Sequence, residues 1–259
     1  VSGAEHWGTR PRDWAELAEP SNRALFEVVL GELGVGPGTE LLDIGCGSGY
    51  AAAMACDLGA RVTGLDITPE LLELARERVP GASFVAGGMD ELPFDAGSFD
   101  TAVAFSAIQF ADDPARAVRE ATRVVRAGGA VALAGFAEAE RNESTALHLA
   151  LEPLRARAAS AAVQHLPYAL SGPGGLERLL RQAGLTSIRA GEVPVVWAHD
   201  SVDHAVRAVL ASGGGAMAIA AAGVAAATAA LTEAVAPFTD GEGRVAMHNV
   251  FRYAIGERP

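Results

Sequence analysis

The sequence predicts an α/β fold, with a parallel sheet covered by helices on both faces. Two observations carry that expectation. Between residues 40 and 136, apolar runs of strand length alternate with helical stretches. At the start of this stretch, in ELLDIGCGSGY, Gly45, Gly47 and Gly49 follow the apolar run Leu41–Ile44. A strand that ends in a glycine-rich turn lets the backbone approach a ligand, and the next helix offers free N–H groups. With 259 residues, half of them hydrophobic, the chain can form one large domain with a substantial insertion.

Residues 1–39 read as an N-terminal arm and a helix. Pro20–Ser21 starts the helix; Leu25, Phe26, Val29, Leu30 and Leu33 recur at helical spacing, and Gly34, Gly36 and Gly38 stop it. Trp7 and Trp14 precede it, either capping the core edge or closing over a ligand. After the glycine turn come a helix over 50–58, a strand over 61–67 and a helix from Thr68–Pro69 to Val79. A short strand (83–86), a loop (87–98) and a strand (99–105) follow. Asp113–Pro114 opens a helix to Arg126, and a strand fills 130–136. Residues 137–173 read as a helical lid insertion, and 174–259 as the C-terminal part of the core with substrate-covering helices. In that last part helices are expected at 174–183, 202–211 and 216–236, and strands at 188–198 and 245–255.

A formal net charge of −12, with every basic side chain an Arg, repels a phosphate polyanion, so nucleic acid is not expected as a partner. Cys46 and Cys56 are too few for a disulfide framework. The N-terminal residues are polar, and the Ala-rich stretch 216–231 is shorter and less apolar than a membrane span needs. The expectation is a soluble, cytoplasmic protein, monomeric or homodimeric, without membrane contact.

Three nucleotide ligands compete for the glycine turn. A P-loop needs a Lys to reach the phosphates, and the chain has none. A dinucleotide turn needs G-x-G-x-x-G; here Tyr50 stands at the third glycine's place, although Asp66 provides the later acid, and this alternative stays open. S-adenosylmethionine needs acceptors for its ammonium, N–H donors for its carboxylate and a fixed carboxylate for its ribose hydroxyls. Asp66, at the tip of the second strand, suits the ribose. Its alternative role is a helix N-terminal acid beside Thr68.

LLDIGCGSG, then VTGLDIT, then GGMDELPFDAGSFD, in this order and spacing, resembles the class I S-adenosylmethionine-dependent methyltransferases, over about residues 38–136. Within them the chain resembles the small-molecule branch called methyltransferase type 11. The resemblance implies a Rossmann-like, doubly wound sheet of seven strands, mostly parallel with an antiparallel last strand, and residues 40–136 as its cofactor-binding core. It also implies that Asp43, Gly45, Cys46 and Gly47 line the methionine part and that Asp66 holds the ribose. Ile67 would lie against the adenine, Met89 and Asp90 at its rim, Ser106 near the sulfonium, and Gln109 facing the methyl-transfer site. One departure is Gly88, where the branch usually has an Asp that bonds the adenine amino group. Asp90 would then take over that contact, or backbone and apolar packing would hold the ring.

Methyl transfer from a sulfonium is a direct displacement, so the protein mainly positions the nucleophile and removes its proton when needed. Phe105–Ser106 stand where metal-dependent catechol-type methyltransferases place a carboxylate, so no metal is expected. His148 and His165, with Tyr168 beside the latter, are the candidate bases, against a bland role in packing or at the surface. The apolar lid suits a small, largely apolar acceptor. The resulting expectation is a methyltransferase acting on an O, N or C nucleophile in bacterial specialised metabolism. Two alternatives stand beside it: a protein of this fold that binds the cofactor but catalyses a cyclisation or isomerisation, and an NAD-dependent oxidoreductase.

Overall fold

The computed structural model describes residues 4–155 and 167–259. The arm contains α1 (Ala4–Trp7) and α2 (Pro11–Asp13), then a π turn (Trp14–Ala18) and a 3-10 turn (Glu19–Asn22) that run into α3 (Arg23–Glu32). Next come β1 (Glu40–Ile44), α4 (Tyr50–Asp57), β2 (Arg61–Asp66), α5 (Pro69–Arg78), β3 (Ser83–Ala86) and β4 (Phe99–Phe105). They are followed by α6 (Pro114–Val124), β5 (Val125–Phe136), α7 (Thr145–Arg155), α8 (Gly175–Gln182) and β6 (Thr186–His199). The chain closes with α9 (Val202–Leu210), α10 (Gly213–Ala222), α11 (Val224–Val235) and β7 (Val245–Glu257).

The seven strands make one sheet in the order β3-β2-β1-β4-β5-β7-β6. β1 pairs in parallel with β2 and β4, while β7 runs antiparallel to both its neighbours. The chain winds outward from β1 to β3, then returns to the other side of β1 as β4. Ligands of such sheets bind outside the carboxyl ends of the strands at this reversal. One face of the sheet packs Leu42, Ile44 and Leu133 with Val118 of α6 and Leu180 of α8. The other packs Leu41, Val62 and Ala132 with Leu25 and Val29 of α3. A third apolar cluster joins α7, α9, α10 and α11 to Val245 and Met247 of β7.

Two of the differences from the sequence expectation have a plain physical reason. The predicted helix to Arg126 ends at Val124, and β5 starts five residues before Ala130. The fully buried Val125 leaves the helix to pair with Phe99, and the ladder then shifts register before Thr101. A Cβ on Gly129 would stand 2.3 Å from the Asp100 carbonyl, so only glycine fits that crossing. The single helix expected over 216–236 is two. Gly223 adopts φ +84° between α10 and α11, a left-handed backbone that ends the first helix.

Candidate functional site

The glycine turn sits at the sheet's reversal and is held from below. Gly45 N–H and Cys46 N–H both donate to the Leu65 carbonyl, at 2.7 and 3.0 Å. Gly45, Gly47 and Gly49 all have positive φ. A Cβ on Gly45 would lie 2.5 Å from the Ala107 Cβ, which brings the turn against the segment after β4. Cys46 is buried, and burial pushes its thiol well above the usual range, so it stays a neutral packing group.

Three carboxylates converge on this turn. Asp66 Oδ2 accepts from Gly47 N–H and Oδ1 from Thr68 N–H, each at 2.9 Å. Burial raises its pKa, and these backbone bonds oppose the rise. Asp66 thus stands at the tip of β2 and ties the N-terminal end of α5 to the turn, which is the helix-end role weighed in the sequence. Asp43, on β1, is 2% exposed, and its Oδ2 has no hydrogen-bond partner among the described residues. Burial first, then the charges of Glu19 and Asp66, push its carboxyl up to about 8.

Glu19, on the arm, is the third acid and was not singled out in the sequence. Its Oε1 accepts from Ser48 N–H at 2.8 Å and Trp14 Nε1–H at 2.9 Å, and its Oε2 from the Ser48 hydroxyl. Arg78 Nη1, at the end of α5, donates to Glu19 Oε2 at 2.9 Å and to the Ser48 carbonyl at 2.8 Å. Nothing in the local sequence separates Glu19 from the other acids, because its ionic partner lies 59 residues away.

At the tip of β4, Ser106 holds φ +49°, a left-handed conformation that is uncommon for a residue with a side chain and often marks functional sites. Its N–H donates to the Ala134 carbonyl at 2.8 Å. Gln109 is buried, and its Nε2 donates to the Ser106 carbonyl at 3.0 Å, so its amide braces this turn. Ile67 is 46% exposed at the tip of β2, an apolar surface beside the groove. Met89 packs on the core below. A Cβ on Gly88 would meet nothing within 4 Å, and Asp90 Oδ1 accepts from Asp113 N–H at 3.2 Å.

The arm crosses above these parts. Trp7 packs edge-on against Trp14 at 4.7 Å and Phe110 at 5.5 Å. Gly8 passes so close to Thr68 and Glu70 that a Cβ there would overlap the Glu70 carboxylate. At the tip of β5, Phe136 packs amid Tyr168, Trp197 and Phe251, with ring centroids 5.1, 5.8 and 4.4 Å away. His148 meets Phe136 and Tyr168 edge-on, and its Nε2 is buried with no hydrogen-bond partner among the described residues. Burial, with Arg155 adding to it, pushes its pKa down to about 4, so the imidazole is neutral at pH 7. The Tyr168 hydroxyl lies 2.8 Å from Thr145 Oγ1. His165 lies outside the described residues. Among those residues no three His, Cys, Asp or Glu side chains converge as a metal site, and no single helix is long and apolar enough to cross a membrane.

Residues 42–133 match the family profile described as "Methyltransferase domain". The chain is 32% identical over 128 residues to a malonyl-[acyl-carrier protein] O-methyltransferase of Serratia marcescens, covering 49% of this chain and 50% of that protein. It is 38% identical over 91 residues to a demethylmenaquinone methyltransferase of Chlorobaculum tepidum, covering 35% and 38%. The matched stretches therefore span half or less of the length of these curated relatives. In fold it resembles the crystal structure of the [4+2]-cyclase SpnF, with a TM-score of 0.57 and 20% identity over 91% of this chain and 80% of that one. That likeness shows the fold alone. Residues 42–133 thus match a methyltransferase domain, and the seven-stranded sheet with the glycine turn at its reversal is the Rossmann-like fold of such domains.

Proposed function

We propose that the chain transfers a methyl group from S-adenosylmethionine to an O, N or C nucleophile of a small, largely apolar molecule in bacterial specialised metabolism. The observation that carries the reading is the buried Oδ2 of Asp43, which has no hydrogen-bond partner among the described residues, beside Asp66 at the glycine turn. An acid-lined pocket suits a ligand that brings positive charge, and this cofactor carries both an ammonium and a sulfonium.

On this reading Asp43, Gly45, Cys46 and Gly47 hold the methionine part, and Asp66 accepts from the ribose. Ile67, Met89 and Asp90 flank the adenine. Ser106, braced by Gln109, positions the methyl-transfer end. Residues 40–136 form the cofactor-binding core, while 137–173 and the helices of 174–259 cover the acceptor. Bound S-adenosylmethionine supplies an electrophilic methyl group, so the chain's own task is to orient the acceptor and exclude water. The aromatic cluster of Phe136, Tyr168 and Trp197 suits an apolar acceptor at its edge, and the neutral His148 packed against it is the group assigned to take its proton.

Calorimetric titration with S-adenosylhomocysteine, with NAD as control, tests the cofactor. Micromolar binding of the first and none of the second is expected; NAD binding alone would overturn the reading. Product mass then identifies the reaction class. One added methyl supports transfer, an isomer of unchanged mass supports cyclisation, and a change of two hydrogens supports oxidoreduction. Replacing His148 by Phe keeps an aromatic ring against Phe136 and Tyr168 and removes the base. It is expected to lower kcat by about 10²–10⁴-fold while leaving S-adenosylhomocysteine affinity intact. An unchanged kcat would assign His148 to packing.

A further inference from the structure

The arm touches the segments that follow β1, β2 and β4 at once. Trp7 packs on Phe110 after β4, Gly8 passes Thr68 and Glu70 after β2, and Trp14 stands over the glycine turn. An ideal Cβ on Gly47 would lie 2.3 Å from Glu19 Oε1 and 3.4 Å from Trp14 Nε1, so the turn accepts the arm only because it is glycine. The arm is tied elsewhere as well. Asp13 pairs with Arg207 of α9, and Asn22 Oδ1 accepts from Trp197 Nε1–H at 3.1 Å. At the turn, the arm's own connecting side chain is Glu19. Glu19 is 6% exposed, and every partner it has is a donor: Ser48 N–H, the Ser48 hydroxyl, Trp14 Nε1–H and Arg78. Arg78 in turn donates from Nη2 to the arm's Ala15 carbonyl at 2.9 Å, while its Nη1 holds the Ser48 carbonyl.

We propose that Glu19 and Arg78 form a latch that fixes the arm, residues 4–22, as the roof of the cofactor groove, and that both are positioning residues for cofactor binding. The geometry gives the latch two ends on different elements. Glu19 brings the arm, Arg78 brings α5, and Ser48 between them belongs to the turn that holds the ligand. Closing the arm therefore fixes the backbone of Ser48, and with it the N-terminal end of α4. Opening the arm removes the roof, Trp7 and Trp14, and frees Ser48 N–H together. Buried charge-assisted bonds of this kind are costly to half-remove, because the partner is left unpaired. A cofactor bound under the closed arm leaves only when the latch breaks, so the latch acts chiefly on the dissociation rate. This inference rests on the cofactor reading above, but its structural half can be tested without any ligand.

Glu19→Gln places an amide donor opposite the Ser48 hydroxyl and Arg78, where only an acceptor fits. Arg78→Met removes the cation and the bond to Ala15 while keeping an apolar stem. Each variant is checked for a cooperative melt before use. Trypsin cleavage after Arg12, an exposed residue in the arm, reports opening in the ligand-free chain. Both variants are expected to be cut at least tenfold faster than the parent, and acrylamide quenching of tryptophan fluorescence to rise. In stopped-flow fluorescence, S-adenosylhomocysteine is expected to dissociate at least tenfold faster, with a smaller change in association. In turnover, KM for the cofactor rises and kcat at saturation holds. Unchanged cleavage and quenching in a folded variant would overturn the latch. Faster cleavage with unchanged dissociation would overturn its role in cofactor binding. A parent that binds no S-adenosylhomocysteine would overturn the cofactor reading, with the latch then judged on cleavage and quenching. Where Glu19→Gln fails to fold, Arg78→Met, at the more exposed end of the latch, decides the matter.

Discussion

Asp66→Ala is expected to weaken S-adenosylhomocysteine binding by at least one charged hydrogen bond, roughly 1.5–3 kcal/mol. That is about 10- to 150-fold in Kd. The structure raises this expectation above the loss of a ribose contact alone. Asp66 already holds Gly47 N–H and Thr68 N–H, so the substitution also loosens the turn and the N-terminal end of α5. Asp66→Asn separates the two effects. Its amide oxygen can keep one of the backbone bonds, but it cannot present two acceptor oxygens to a pair of hydroxyls. Both variants should lose affinity; the Ala variant, which loses both backbone bonds, should lose more thermal stability than the Asn variant, which keeps one and sets an amide N–H against the other donor. Calorimetry and thermal unfolding on the same two samples check this. A Kd unchanged in both variants would remove Asp66 from the ribose.

The core was legible because each of its parts is written locally. The strands around the site are short apolar runs, the turn between β1 and α4 is marked by its glycines, and α5 is opened by Thr68–Pro69. Asp66 lies one residue beyond such a run, so its place at a strand tip follows from the pattern alone. The break at Gly223 was missed because an Ala-rich stretch on both sides reads as one helix, and a single glycine inside it signals a C-cap only when its φ is known. The early start of β5 was missed because Val125 and Arg126 continue the helical spacing of α6, and only pairing with Phe99 draws them into the sheet. Glu19 and Arg78 were missed for a different reason. Their contact joins two exposed-looking charges through a residue of the turn, and no periodicity records a pairing made across the fold. Trp7 and Trp14 gave the one usable signal, since two indoles in a polar arm need something to cover.

Asp43 is expected to make both stability and ligand affinity depend on pH, in opposite senses. In the folded chain its carboxyl is pushed up to about 8 by burial and by the charges of Glu19 and Asp66; Arg78 is tied to Glu19, and Cys46 beside it stays a thiol. Unfolded, it titrates near its ordinary value of 3.8. Between those values the folded chain binds the extra proton, so stability falls as pH rises, by about 1.4 kcal/mol per pH unit from this group. Above pH 8 both states have released the proton and the slope from Asp43 ends. Asp43→Asn removes the contribution, so its melting temperature should rise relative to the parent from pH 5 to pH 8 and then run level with it. Ligand binding has the reverse sign. If the carboxylate form receives the cofactor's ammonium, only about 1% of the free protein is competent at pH 6 and about half at pH 8. S-adenosylhomocysteine should then bind about 50-fold more tightly at pH 8 than at pH 6. Proton release should appear as a calorimetric enthalpy that varies with the buffer's heat of ionisation. Asn cannot ionise, so the variant should show neither the pH dependence nor the proton release, and should bind weakly throughout. A parent whose affinity is flat across this range would place the ammonium elsewhere, and would leave Asp43 as a neutral acid built into the floor of the turn.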